Sequence, residues 1–164
     1  MVETEMLWRL ASEAEDVGDF GRMLELARRG SALGDPVCWF QLGLAYDLGR
    51  GVDIDKQQAM RCYRTAWRNH YMGAANNIAI LYRERGDNRA MFRWFERATA
   101  QGDDGAFLEM AKCYRKGVGV RASAEQAVRC LAAALGGTCI SEAEREEAQA
   151  LLAEYRMCVI PRSP

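Results

Sequence analysis

A motif that recurs at a fixed distance constrains the fold of this 164-residue chain more than any other feature. The pattern Leu/Met-Gly/Ala-x-x-Tyr-x-x-Gly-x-Gly-Val begins at Leu42 and again at Met110, and each copy is followed by Ala-x-x-Cys-x-x-x-Ala. Every matching position is displaced along the chain by the same interval that separates Leu42 from Met110. Such spacing of apolar, small and glycine positions is typical of stacked structural repeats. The sequence therefore predicts repeated units that share one core.

Two shorter copies alternate with these long ones. Residues 74–102 repeat the helix positions of the motif but lack its Gly-x-Gly-Val loop, and residues 6–34 form a more divergent copy of the same short type. A Gly-Asp pair stands at the same distance before a methionine in both short copies. We therefore predict four helical hairpins, at residues 6–34, 35–73, 74–102 and 103–137, in which short and long repeats alternate.

Local signals place the helices within these hairpins. Asp35 followed by Pro36 predicts a helix that continues to about Leu48, since Asp is a favourable N-cap and Pro suits the first helical position. Ser141, which is followed by acidic residues, predicts a final helix at about 141–156 that caps the stack. No segment alternates like a strand, so we expect an all-α fold of about nine helices, in one domain at 1–158 with a disordered tail at 159–164.

Small residues and cysteines mark the interior. Gly43, Ala79 and Ala111 occupy one helical position in three copies, which predicts that two helices approach closely there. Cys62 and Cys130 share a position that also accepts Leu and Trp, so we expect buried thiols. The chain has six cysteines and no C-x-x-C pair; Cys139 and Cys158, near the carboxyl end, are the less constrained thiols.

Composition narrows the class of protein. With 22 basic and 23 acidic residues and 49% apolar residues, the chain has the balance of a soluble globular protein and not of a general polyanion binder. The acidic amino terminus does not resemble a signal peptide, and no run of 18 apolar residues occurs. We therefore expect a cytoplasmic protein that has no membrane span and no nucleic-acid partner.

The repeated residues resemble the Sel1-like repeat family, which is related to the tetratricopeptide repeat. The family pattern Ala-x3-Leu-Gly-x2-Tyr-x2-Gly-x-Gly-Val, then Lys-Ala-x2-Trp/Tyr-Tyr-x2-Ala-Ala, is matched almost fully by residues 38–66 and well by 106–134. This resemblance implies an α-solenoid, a right-handed superhelical stack of antiparallel helix hairpins. It also implies a non-catalytic module that binds a protein or peptide partner on its concave face, which the first helix of each hairpin, helix A, lines.

Helical spacing counted from the motif tyrosine assigns the outward positions of each helix A. These positions combine apolar anchors with polar groups that could orient a peptide. The predicted partner-binding residues are Trp8, Phe40, Leu44, Asp47, Asn76, Ile80, Arg83, Leu108, Lys112 and Arg115. The alternative is that neighbouring A helices bury the apolar members of this set.

The second helix of the third hairpin presents a row of arginines, Arg89, Arg93 and Arg97, on the opposite surface. A row with this spacing is either a solvated helix face or a surface that recruits an acidic partner. Aromatic residues between the arginines, which single-stranded nucleic acid would need, are absent from that face.

Residues suited to catalysis are sparse. His70, the single histidine, lies in a turn between repeats, and no cluster of His, Cys and carboxylates has metal-ligand spacing, so we expect no enzyme, cofactor, metal or small-molecule substrate. Two alternatives to a general protein-binding adaptor remain open. The first is a dedicated inhibitor or immunity protein that covers one toxin or enzyme, and the second is an enzyme with a pocket near Cys139.

Overall fold

The computed structural model describes the backbone of residues 2–159 and the side chains of residues 4–156. Within this range the chain is entirely helical, in agreement with the predicted fold class, and it forms nine helices joined by short turns. They are α1 (Val2–Asp16), α2 (Phe20–Ala32), α3 (Pro36–Leu48), α4 (Lys56–Arg68), α5 (Ala74–Glu84), α6 (Asn88–Thr99), α7 (Asp104–Lys116), α8 (Ala124–Gly136) and α9 (Glu142–Val159).

Short polar side chains fix where several helices begin. The carboxylate of Asp35 accepts a hydrogen bond from the backbone N–H of Cys38 at 2.9 Å, which caps α3 at the predicted position. Ser141 and Glu144 form a reciprocal pair at the start of α9, because the Ser141 backbone N–H donates to Glu144 Oε2 at 2.9 Å and the Glu144 N–H donates to Ser141 Oγ at 3.3 Å. This arrangement is a capping box, so the predicted final helix is confirmed.

The chain falls into two compact units, one ending at Leu81 and the other beginning at Tyr82, so the boundary lies within α5. In the first unit α1, α2, α3 and α4 pack side by side, and α1 also contacts α3. Their shared core contains ten buried residues: Leu7, Ala11, Ala14, Met23, Leu24, Leu26, Ala27, Leu42, Ala45 and Cys62. The predicted extent of a single domain over residues 1–158 stays a prediction.

In the second unit α6, α7, α8 and α9 pack in sequence, and α9 also contacts α7. Apolar residues at helical spacing form its interior, with Phe95 and Ala98 fully buried and Leu131 and Leu108 each 1% exposed. The predicted tail at 159–164 lies outside the residues whose side chains are described.

The two Gly-x-Gly-Val loops have the backbone geometry that their glycines permit. Gly49 ends α3 at a φ of 72° and Gly117 ends α7 at a φ of 68°, both in the left-handed region that L side chains rarely adopt. Gly51 and Gly119 also have positive φ values, 72° and 74°. The equal geometry of the two loops confirms that the long copies are structural repeats.

Candidate functional site

In the first unit, helix α3 carries two of the predicted apolar anchors. Phe40 and Leu44 lie one helical turn apart and both are partly exposed. The Phe40 ring packs against Tyr71 with 4.7 Å between ring centroids and against Tyr63 at 5.5 Å. These tilted contacts hold the ring in one orientation while part of it stays open to solvent.

The neighbouring residue Gln41 ties α3 to α1. Its side-chain Nε2 donates hydrogen bonds to the backbone oxygen of Trp8 at 3.2 Å and to Ser12 Oγ at 2.8 Å. Gln41 is 5% exposed and both hydrogen bonds are partly buried, which limits competition from water. The predicted residue Trp8 is thereby placed on the helix that packs beside α3, and its side chain is partly exposed.

Asp47 does not face outward, and its assignment to the binding surface is corrected. Its residue exposure is 8%, and its carboxylate accepts hydrogen bonds from Tyr63 Oη at 3.0 Å and from Lys56 Nζ at 2.6 Å. Both oxygens are therefore engaged in joining α3 to α4. Burial, followed by the Asp47 charge, raises the pKa of Tyr63, so the phenol stays protonated and keeps donating.

Asn76 and Ile80, the predicted residues of α5, are both partly exposed. They are four residues apart and so lie on one side of the helix. Both side chains are therefore at the surface but only partly solvated. A role for these two residues in partner binding stays a prediction.

In the second unit, the predicted basic residues are held by carboxylates. Glu109 of α7 accepts hydrogen bonds from the Arg83 guanidinium and from Lys112 Nζ, the latter at 2.9 Å. Burial by itself would raise the pKa of Glu109, but the hydrogen bond from Lys112 and the charge of Arg83 outweigh it and hold that pKa below its ordinary value. Because the folded-state pKa is lowered, the stability from this cluster is present above the ordinary Glu pKa and is lost as the pH falls below it.

Helix α9 supplies two more carboxylates to the same face of α7. Lys112 Nζ also contacts Glu147 Oε2 at 2.8 Å, and Arg115 contacts Glu154 Oε2 at 2.8 Å. Arg83, Lys112 and Arg115 therefore lie on the surface as predicted, but each already has an internal counterion. An acidic partner would have to displace these contacts in order to use the three cations.

Leu108 is 1% exposed, so its predicted position on the binding surface is wrong. It lies in the interior of the second unit because α7 is flanked by α6, α8 and α9. The residue is buried, as the alternative in the sequence analysis supposed, but the helices that pack on α7 are α6, α8 and α9, not a neighbouring A helix alone.

A cleft of about 290 Å³ opens beside the cation cluster in the second unit. Its lining combines charged side chains with apolar ones, among them Met91 and Val118. The full lining is Arg83, Met91, Glu109, Lys112, Cys113, Lys116 and Val118. The cleft could admit one side chain of a partner, with three cations and one carboxylate around it.

The cysteines of the repeats are unsuited to nucleophilic chemistry. Burial raises the pKa of Cys38 to about 12, with an added effect of the nearby Asp35 charge, and burial raises the pKa of Cys62 and of Cys113 to about 11. The thiolate is the reactive form, so these groups stay protonated and inert near neutral pH. Cys62 and Cys130 are both buried, which confirms their predicted core positions.

Cys139 is exposed, but its surroundings have a structural explanation. Its backbone N–H donates to Asp104 Oδ2 at 2.9 Å, and its sulfur lies 3.8 Å from the hydroxyl of Thr138. The carboxylate therefore supports the turn that follows α8. The side chain of Cys158 lies outside the described residues.

The structure describes no arrangement of metal ligands or membrane-spanning helices in its part of the chain. Among the described side chains, no group of three or more His, Cys, Asp or Glu residues could hold a metal ion. His70 occupies the turn between α4 and α5 with a positive φ of 67° and is exposed. None of the helices found within residues 2–159 combines the length and the apolar character needed to cross a bilayer.

Three segments match the Sel1 repeat model, at residues 40–68, 74–103 and 108–135, which together make up just over half of the chain. The chain belongs to the Sel1 repeat family. The three matches correspond to the hairpins α3–α4, α5–α6 and α7–α8. The first hairpin, α1–α2, lies outside the match, although residues 6–34 form the helix pair predicted from the divergent copy. Sel1 repeat proteins are in general protein-interaction modules.

Solved structures agree with this assignment at the level of the fold. A Sel1 repeat protein from Oxalobacter formigenes superposes with a TM-score of 0.72 at 19% identity, covering 90% of this chain and 74% of that one. The protective antigen c5321 of uropathogenic Escherichia coli gives a TM-score of 0.70 at 17% identity, covering 98% of this chain and 49% of that one.

A curated relative, protein NMB1327 of Neisseria meningitidis serogroup B, is 32% identical over 99 residues. The aligned region covers 60% of this chain and 21% of the relative. The chain thus matches about a fifth of that protein's length.

Proposed function

We propose that this chain is a non-catalytic interaction module that binds a protein or peptide segment on its A-helix face, with Phe40 and Leu44 as apolar anchors. The observation that carries the proposal is the state of Phe40, which is partly exposed yet held by two aromatic rings at 4.7 and 5.5 Å. An exposed apolar side chain that is already ordered loses little conformational entropy when a partner covers it. Such rigid aromatic anchors are typical of the energetically dominant positions of interfaces.

In the second unit, the polar residues predicted to bind a partner contribute orientation more than charge attraction. Arg83, Lys112 and Arg115 are neutralised by Glu109, Glu147 and Glu154, so their field at a distance is weak. They nevertheless offer fixed N–H donors to a partner's backbone or carboxylates. Binding at the concave face as a whole stays a prediction.

The other two functions considered from the sequence have no specific support among the described residues. The inhibitor or immunity role requires one dedicated toxin or enzyme, and no surface feature distinguishes it from general protein binding. An enzyme centred on Cys139 would need a base beside the thiol, whereas the neighbouring Asp104 carboxylate accepts a backbone N–H.

The proposal is tested with peptides selected from a displayed random library on the wild-type protein. Their affinities are measured by calorimetry for the wild type, for Leu44→Glu and for Leu33→Glu. Leu33 is a matched control because it is also a leucine and is 55% exposed, but it lies at the end of α2. We expect Leu44→Glu to weaken binding by about 2 kcal/mol or more, roughly thirtyfold, because it places a charge at the apolar centre of the interface.

The control variant should bind the selected peptides within about threefold of the wild type, since exposed single substitutions outside an interface have small effects. Circular dichroism of each variant confirms that the helices are intact. Equal binding by wild type and Leu44→Glu, with both folded, would overturn the proposal. A failure to select any peptide that competes for a common site would overturn it as well.

A further inference from the structure

The second helices of the two short hairpins, α2 and α6, are structurally equivalent. Helix α2 begins after Asp19 and helix α6 after Asp87, and these aspartates are separated by the same interval as the two copies of the long motif. Each accepts a hydrogen bond from the backbone N–H three residues later, at 3.0 Å in both helices. Each helix also buries a methionine at the fifth position, counting the aspartate as the first, namely Met23 and Met91. Positions related by this repeat interval are therefore structurally equivalent in α2 and α6.

The Gly-x-Gly-Val loop that comes after each short hairpin packs on the start of the second helix of that hairpin, α2 or α6. A Cβ on Gly51 would lie 2.8 Å from Cβ of Phe20, and a Cβ on Gly119 would lie 2.0 Å from the backbone oxygen of Asn88. Phe20 and Asn88 are themselves equivalent, so the same loop-to-helix contact is made once in each unit. The loop tip and the outer row of the helix thus form one continuous surface in the first unit and again in the second.

These two equivalent surfaces differ in charge. We compare five exposed positions, four on the helix and one at the loop tip. In the first unit two bases and two acids cancel to a net charge of zero, whereas in the second unit four bases and one acid leave +3. The residues are Gly21, Glu25, Arg28, Arg29 and Asp53 in the first unit, and Arg89, Arg93, Glu96, Arg97 and Arg121 in the second. Because the same scaffold folds with either set, the arginines are not required by the fold.

The arginines of the second set also lack internal counterions. Within the part of the chain that the structure describes, Arg89, Arg93 and Arg121 form no ion pair or hydrogen bond through their side chains. Arg97 is positioned by Trp94, with its guanidinium carbon 4.4 Å from the ring centroid. The cations of α7 that were predicted to bind a partner, by contrast, are paired. A cleft of about 610 Å³ separates Arg89 from Arg121 and is lined in part by three glycines.

We infer that this surface, formed by Arg89, Arg93, Arg97 and Arg121, is a docking surface for an acidic segment of a protein partner. Residues four apart on a helix are about 5–6 Å from each other, so the row matches carboxylates that recur every turn along a partner helix. The inference rests on the proposed function and extends it, since it names the chemistry of a second contact. An acidic segment would be drawn here because four cations without an internal counterion among the described side chains lie together on this surface.

The surface favours an acidic protein over single-stranded nucleic acid. Base stacking needs exposed aromatic rings among the cations, and the aromatic residues of α6 are turned inward, with Phe92 5% and Trp94 8% exposed. The surface therefore supplies charge without a stacking platform. Nucleic acid is retained as an outcome of the test.

The test uses a fluorescent alanine-rich helical peptide with Glu at every fourth residue, a matched peptide with Gln in place of Glu, and a short single-stranded DNA. Fluorescence anisotropy measures binding to the full chain at about 50 mM and about 300 mM salt. The first variant, Arg89→Gln with Arg93→Glu and Arg121→Asp, places at two positions the acids that the first unit carries there. The control, Arg22→Gln with Arg28→Glu and Arg29→Glu, lowers the net charge of the chain equally.

We expect the wild type to bind the Glu peptide more tightly than the Gln peptide and to lose affinity as salt rises. The first variant should lose about tenfold or more in affinity and the control less than about threefold. The control changes only the long-range charge, whose effect on binding is screened by salt. The reciprocal variant, Gly21→Arg with Glu25→Arg and Asp53→Arg, should add affinity for the Glu peptide. Gly21 has room for the change, since an added Cβ meets only Asp19 Oδ1 at 3.6 Å.

Three results would overturn the inference: no preference for Glu over Gln, equal losses in the first variant and the control, or tighter binding of the DNA than of the Glu peptide. Leu44→Glu is measured alongside and should leave binding of the Glu peptide unchanged. If Leu44→Glu retains the library-selected peptides while the arginine result holds, the anchor assignment in the proposed function fails and the acidic docking surface stands.

Discussion

At the scale of single residues, Gly43 of α3 lies in close contact with Tyr63 of α4 in the first long repeat. A Cβ at position 43 would lie 2.4 Å from Cδ1 and 2.5 Å from Cε1 of the Tyr63 ring. Tyr63 is fully buried and is held by its hydrogen bond to Asp47, so the ring has little freedom to retreat. The close approach of two helices that the sequence predicted at Gly43 is confirmed.

This contact allows a test in which steric overlap and helix propensity predict changes of opposite sign in the free energy of unfolding. Gly43→Ala should improve helix propensity by up to about 1 kcal/mol, but the overpacking against Tyr63 costs about 1–3 kcal/mol, so we expect net destabilisation. Gly21→Ala in α2 has no such neighbour and should be neutral or stabilising. Denaturant unfolding monitored by circular dichroism measures both. A more stable Gly43→Ala protein would contradict the packing described for this pair.

Residue assignments made from the sequence were correct where the position in its own repeat decides the outcome, as for a small or buried side chain. Gly43 and the buried Cys62 and Cys130 were identified because several copies reveal what each slot tolerates. Asp47 and Leu108 were assigned wrongly because their surroundings depend on partners from other helices. The count from the tyrosine gives the direction of a side chain on its own helix, but it cannot show that Lys56 and Tyr63 converge on Asp47 or that Leu108 is buried in the second unit.

At the scale of secondary-structure elements, α9 illustrates which contacts dock a helix. It buries Ala148 and Leu151, and it pairs Glu147 with Lys112 and Glu154 with Arg115. The carboxylate side chains are 48% and 63% exposed, so water and salt weaken both ion pairs. The apolar contacts therefore contribute most of the free energy that holds α9.

Two substitutions in α9 separate these contributions. Leu151→Ala should lower the free energy of unfolding by about 2–4 kcal/mol, through lost burial and the cavity that remains. Glu147→Gln keeps the side-chain size and should cost less than about 1 kcal/mol. Chemical denaturation of both variants, compared with the wild type, gives the two values. A larger loss for Glu147→Gln than for Leu151→Ala would mean that the ion pairs dock the helix.

The elements themselves were largely predictable from the sequence. The start of α3 at Pro36 and the start of α9 after Ser141 follow from capping residues, and the ends of α3 and α7 follow from glycines that adopt positive φ. The acidic residues that neutralise the basic A-helix face were missed. Glu147 and Glu154 recur at helical spacing in the final helix, but only the packing of α9 on α7 shows that they reach Lys112 and Arg115.

At the scale of the whole chain, membership of the Sel1 repeat family follows from residues that build the core, which is why the family was recognisable from spacing alone. The same residues carry little information on partners, because buried positions do not contact them. What distinguishes this chain lies in its exposed positions, namely the ordered apolar side chains of α3 and the row of exposed arginines on α6. Repeats make such differences visible, since one copy serves as the reference for the other.

The central claim, that the exposed face of α3 receives a protein partner, is tested most directly by hydrogen–deuterium exchange. The wild-type chain is compared alone and saturated with a library-selected peptide, and exchange is read from proteolytic fragments. We predict slower exchange in fragments from α3, Pro36–Leu48, and unchanged exchange in α4, Lys56–Arg68, apart from its contact with α3. Protection confined to α4, with α3 exchanging as in the free protein, would contradict the account.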